Sequence, residues 1–141
     1  MSETKTEEMV EVQVTQSFQL QRLIDLLVNV FEMGSSSWYN GIQQINYSDQ
    51  YPKDFFEQFE KGTRAYEALK HGLGITVRVD NPEDDCRQIS KIIDKEGMIR
   101  AINVMAVLHK KHFEDFINEN DDADTSDVFG QLIVYNELIF G

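Results

Sequence analysis

ITVRVDNPEDDCRQISKII, residues 75–93, decides the fold class of this chain. Ile75, Val77 and Val79 alternate with Thr76, Arg78 and Asp80. A period of two places the apolar set on one face of a strand. Asn81 to Asp85 then supplies Asn, Pro and Asp, the residues that bend a chain. Cys86 to Ile93 has mixed periodicity and reads as a short strand returning to form a hairpin. Most of the remaining segments read as helices. The expectation is an α+β fold, a small antiparallel sheet packed against about three to four helices.

Upstream, Val10, Val12 and Val14 alternate with Glu11, Gln13 and Thr15 and predict a first strand. Residues 1–9 are polar and read as a flexible lead-in to a single domain spanning 10–141. Ser17 is placed to cap a helix whose apolar positions, Leu20, Leu23, Ile24, Leu27, Val28 and Phe31, recur at three- and four-residue spacing. Gly34 ends it. Trp38 to Ile45 reads as a strand with a kink or bulge at Gly41. Residues 46–74 are the most aromatic part of the chain. Pro52–Glu60 and Thr63–Lys70 each suit about two helical turns, broken at Gly62, and the segment reads as a surface excursion that serves as a lid or contact region.

Downstream, Asp94 is placed to cap a helix from Lys95 to about Lys110. Met98, Ile99, Ile102, Met105 and Ala106 form its inner face, thickened by Val104, Val107 and Leu108. His112–Glu119 continues as a further helical piece. Asp124 or Thr125 is expected to cap a last helix, with Asp127 favouring its positive end. Asn136 is the left-handed residue expected to end it, and Leu138–Phe140 reads as a short strand or an extended plug.

The 141 residues carry 25 Asp and Glu against 13 Lys and Arg, a net charge of −12. Such a surface repels phosphate backbones, so no direct nucleic-acid binding is expected. The acidity serves solubility, or forms a surface that occupies a basic groove on a nucleic-acid-handling protein. Cys86 is the single cysteine, so no internal disulfide forms. The N-terminal residues lack a signal-peptide pattern and no apolar run reaches bilayer length. A cytoplasmic protein with no membrane contact is expected.

Chemistry-bearing motifs are sparse. Asn120, Asp122 and Asp124 alternate like calcium ligands, but the glycine and terminal glutamate of such a loop are absent. His109 and His112 lack the further ligands of a zinc site. No nucleophile elbow, P-loop or dinucleotide fingerprint is present. No enzymatic activity, no metal and no cofactor are expected. Two binding surfaces remain. One is an aromatic pocket, with Trp38, Tyr39, Tyr47, Tyr51 and Arg78 as its ligand- or partner-binding residues and Tyr66 beside them, of a composition that suits a nucleotide-like signal. The other is the acidic surface of Asp121, Asp122 and Asp124.

Two dense motifs carry a resemblance. The first is Phe31-Glu32-Met33-Gly34 followed by Ser37-Trp38-Tyr39. The second is Asp122-Ala123-Asp124-Thr125-Ser126-Asp127-Val128-Phe129, then Gln131, then Asn136-Glu137-Leu138-Ile139-Phe140-Gly141. In these the chain resembles a family of small uncharacterised proteins encoded by bacteriophages, prophages and plasmids. It departs where Asn136 stands for the usual glycine. The resemblance implies a mobile-element origin and no particular activity. The resulting expectation is a non-enzymatic accessory protein of the host-cell cytoplasm. Its leading role is inhibition of a bacterial defence protein through the acidic surface, as an anti-CRISPR protein acts. A sponge for a nucleotide signal and a structural interaction protein are the alternatives.

Overall fold

Residues 75–93 form the hairpin that their alternation predicts. The computed structural model describes residues 8, 10, 16–34 and 36–141. Strand β1 is Tyr39–Ile45, β2 is Ile75–Asn81 and β3 is Asp84–Ile93. They form an antiparallel sheet in the order β1-β2-β3. β3 starts at Asp84, ahead of the expected Cys86, because Asn81 pairs with Asp84 and confines the turn to Pro82 and Glu83. In β1 the register slips twice between Tyr39 and Gln44. Gly41 sits in that bulge at φ 113°, a conformation that disfavours any side chain. The expected strand at Val10–Val14 lies outside the described residues except for Val10.

The helices are α1 (Leu20–Leu26), α2 (Val28–Glu32), α3 (Arg64–Lys70), α4 (Lys95–Leu108), α5 (Lys110–Ile117) and α6 (Ala123–Tyr135). The single helix expected from residue 17 onward is thus two. α1 begins behind Gln19 with no capping side chain, and Leu27 interrupts the path into α2. The 46–74 segment folds as 3-10 turns at Lys53–Gln58 and Lys61–Thr63 leading into α3. Asp94 caps α4 as expected, its carboxylate accepting from the Gly97 N–H at 2.7 Å.

One sheet face carries Ile75, Val77, Val79 and Ile93, all buried. The helices lie over it, with α6 packed against α4, α2 and α5. Nine of the thirteen residues of α6 are buried, so it is the central helix of the core rather than an amphipathic cover. The opposite sheet face carries Thr76, Arg78 and Ser90. Arg22 joins α1 to α5. Its guanidinium donates to the Phe116 carbonyl and lies 4.3 Å from the Phe116 ring centre. α4 buries Met98, Ala101, Ile102 and Met105. Of the expected thickening of that face only Val104 packs against the core: Val107 is 66% exposed and Leu108 70%, and Ile99, expected on the inner face, is exposed as well. At 100° per residue Val107 falls on the far side of the helix from Met98 and Met105, whereas Leu108 is the last residue of α4 and stands at its open end.

Candidate functional site

The C-terminal motif is architecture. Asp122, not Asp124 or Thr125, caps α6. Its carboxylate accepts from the Thr125 N–H at 3.0 Å and from the Thr125 hydroxyl at 3.2 Å. The Thr125 N–H holds the Asp122 carboxyl below the usual carboxylate range, with help from its hydroxyl and from His112. Thr125 is fully buried, and its hydroxyl also lies 3.3 Å from His112 Nδ1. His109 and His112 do not share a helix, because His109 is the break between α4 and α5.

Asp127 does more than favour a helix terminus. Its Oδ1 accepts from the Ser36 hydroxyl at 2.6 Å and from the Trp38 indole N–H at 2.7 Å. Its Oδ2 accepts from the Gln131 amide at 2.7 Å. Gln131 then grips the tail. Its Nε2 also donates to the Phe140 carbonyl at 2.8 Å, and its Oε1 accepts from the Ile139 N–H at 2.9 Å and the Phe140 N–H at 2.8 Å. Both polar ends of this buried amide are therefore engaged. Asn136 stands at φ 62°, the left-handed stop expected of it, and Leu138–Phe140 forms no strand. Trp38 and Asp127 thus join the two sequence motifs physically.

This arrangement corrects the aromatic site. Trp38 is 1% exposed and packs edge-on between Tyr39 and Tyr135, so it presents no face to a ligand. Tyr47 lies against Phe56, 5.7 Å between ring centres. Tyr51 packs with Phe55 at 5.1 Å and with His71 at 4.8 Å, inside a small aromatic cluster of the 46–74 excursion. The excursion is joined to the main core through Phe56, Ala68 and Leu69. Arg78 stands on the open sheet face, its Nε donating to Gln88 Oε1 at 3.3 Å. These residues point to separate places because the sheet and the excursion divide them.

Tyr39 does line a cleft, in company not expected from the sequence. A recess of about 310 Å³ is walled by Phe31 and Glu32 at the end of α2, Tyr39 and Gly41 of β1, Gly62, and Tyr66 of α3. Phe31 centres its rings, 5.2 Å from Tyr39 and 5.9 Å from Tyr66. Burial, together with the nearby Glu32 carboxylate, pushes the Tyr66 phenol well above its ordinary range. Burial pushes Tyr39 up to about 12. Both remain neutral donors at neutral pH. Phe31 and Glu32 carry no signal for this role, since they read as the last turn of an amphipathic helix.

Of the acidic surface, Asp121 and Asp124 are exposed, whereas Asp122 is committed to its cap. Asp124 and Asp127 line a second recess of about 170 Å³ against Trp38 and Phe140. Among the described residues, no helix is long and apolar enough to cross a membrane, and no three His, Cys, Asp or Glu side chains converge as metal ligands. Comparison with protein-family models, with curated proteins and with solved structures finds no match.

Proposed function

We propose that this chain is a non-enzymatic binding protein that docks a basic surface of a partner through its exposed carboxylates. One observation carries the reading. Among the described residues the ion pairs are Lys70–Glu67 and Arg87–Asp84, each between residues three apart in sequence. The large acidic surplus is therefore not neutralised by networks within the fold. It projects an unscreened negative field that steers a cationic partner and orients it on arrival. Asp121 and Asp124 are the free members of the acidic loop, standing at the rigid start of the most buried helix.

The partner class follows from the resemblance of the two motifs to phage and plasmid proteins. A basic, nucleic-acid-handling effector of bacterial defence has the complementary charge, so the chain acts as an inhibitor inside the host cell. The nucleotide-sponge alternative has less support. The aromatic cleft is walled by Glu32 and no arginine or lysine, so it offers nothing to hold a phosphate.

The test is recovery of the partner from host lysate on immobilised protein, followed by a salt titration of the purified pair. Affinity should fall by at least tenfold between 50 mM and 300 mM salt, as ion pairing at an exposed surface requires. Asp121→Lys with Asp124→Lys should abolish binding while leaving the melting temperature within a few degrees. Binding indifferent to both salt and charge reversal overturns the reading.

A further inference from the structure

We infer that the cleft between α2, β1 and α3 is a binding site for an alkylammonium group. The inference is carried by residues distinct from the acidic loop and does not rest on the docking proposal. The Phe31 ring lies within 6 Å of both the Tyr39 ring and the Tyr66 ring, and all three line the recess. The negative faces of such rings attract an organic cation, most strongly one with a weakly held hydration shell. Glu32 adds a full charge at the rim. It stands close enough to the Tyr66 phenol to disfavour its ionisation, and no ion pair among the described residues reaches it.

The shape is consistent with this chemistry. A recess of about 310 Å³ lies at the small end of ligand pockets. It suits a trimethylammonium head with a short stem. Two of its walls are glycines, and a side-chain carbon built on either Gly41 or Gly62 would meet nothing within 4 Å. The backbone therefore leaves the mouth open. No lysine or arginine lines the recess, so no internal cation competes for the site. The protein's net charge of −12 raises the local concentration of cations around it.

The bland alternative is that the three rings are merely half-buried core. It accounts for the stacking of Phe31. It does not account for a carboxylate without an ion pair at the edge of an open aromatic recess.

The ligand has two sources, a free quaternary amine or a methylated lysine side chain of a protein. The experiment therefore uses choline, a short peptide bearing trimethyllysine, and 3,3-dimethylbutan-1-ol as the neutral isostere of choline. Binding is followed through the Tyr39 and Tyr66 ring resonances and by calorimetry on the full chain. Choline or the peptide should bind at least tenfold more tightly than the isostere and shift both tyrosines. Glu32→Gln should weaken cation binding by roughly tenfold and leave the isostere unaffected. Glu32 is exposed, so this variant folds. Tyr66→Ala, which removes one ring from the recess, should weaken it severalfold. Choline equal to the peptide assigns a small-molecule source, and a tighter peptide assigns a protein source; either supports the site. Failure of both cations to bind, isostere binding equal to choline, or Glu32→Gln without effect overturns the inference. None of these outcomes bears on charge reversal at Asp121 and Asp124.

Discussion

Replacing Gly130 by alanine sets two physical effects against each other. Gly130 lies inside α6, where alanine is favoured over glycine by about 1 kcal/mol on intrinsic propensity. By that argument the variant gains stability. The tertiary structure predicts the opposite. A side-chain carbon on Gly130 would stand 2.8 Å from Trp38 Cη2, 2.9 Å from Trp38 Cζ2 and 3.2 Å from Val30 Cγ2. The first two distances are closer than carbon atoms approach. The indole cannot simply withdraw, because its N–H is held by Asp127 at 2.7 Å and its faces meet the rings of Tyr39 and Tyr135. Overpacking of this kind costs about 1–3 kcal/mol, and a pinned ring places it in the upper part of that range. After the propensity gain, Gly130→Ala should be destabilised by roughly 1–2 kcal/mol, or a melting temperature lower by roughly 3–8 °C at this chain length. Trp38 is the only tryptophan, so urea unfolding followed by its emission reports on the contact itself. Gly62→Ala, with open space around the new carbon, is the control and should be near neutral. Trp38→Phe removes the clashing atoms, so with all four proteins followed by far-ultraviolet circular dichroism the double variant should lose less than the sum of the two singles by about 1 kcal/mol. A Gly130→Ala protein more stable than the parent, with the near-ultraviolet signal of Trp38 unchanged, would refute the packing argument.

Gln131→Glu replaces an amide donor facing both Asp127 and the Phe140 carbonyl by a third acceptor. It should cost about 2–4 kcal/mol and speed hydrogen exchange at the Ile139 and Phe140 amides, while unaltered protection there would exclude the clamp. Asp122→Ala should lose about 0.5–2 kcal/mol at pH 7. The Asp122 carboxyl is depressed by the folded state, so its contribution is present above the ordinary carboxylate pKa and disappears as pH falls through the lower folded value. The parent and the alanine variant should therefore converge in acid, and a constant gap would argue against the cap. Tyr39 has its phenol raised to about 12, so the stability it contributes is complete below pH 10 and lost as pH rises through about 12. Tyr39→Phe should delete one late step from the alkaline absorbance titration at 295 nm, and loss of an early step instead would contradict its burial.

Local chemistry alone was enough for several elements, though not for the break at Leu27 or the 3-10 turns of 53–63. The alternation of Ile75, Val77 and Val79, the cap at Asp94 and the left-handed stop at Asn136 each depend on a few neighbouring residues, and each stands in the structure. The bulge at Gly41 was legible because glycine in a strand has few other uses. Where the fold departs from expectation, a distant partner won. Asp122 took the cap, leaving Asp127 to bind Trp38, 89 residues away in sequence. That contact turned a tryptophan whose composition suits stacking into a sealed core residue. The aromatic residues of 46–74 gathered around His71 and packed against the main core. Tyr39 met Phe31, Glu32 and Tyr66 only because α2, β1 and α3 converge, which no spacing along the chain encodes. Periodicity reports which face of an element is apolar. It carries no information about which other element will cover that face, and the cleft and the tail clamp are both products of that second choice.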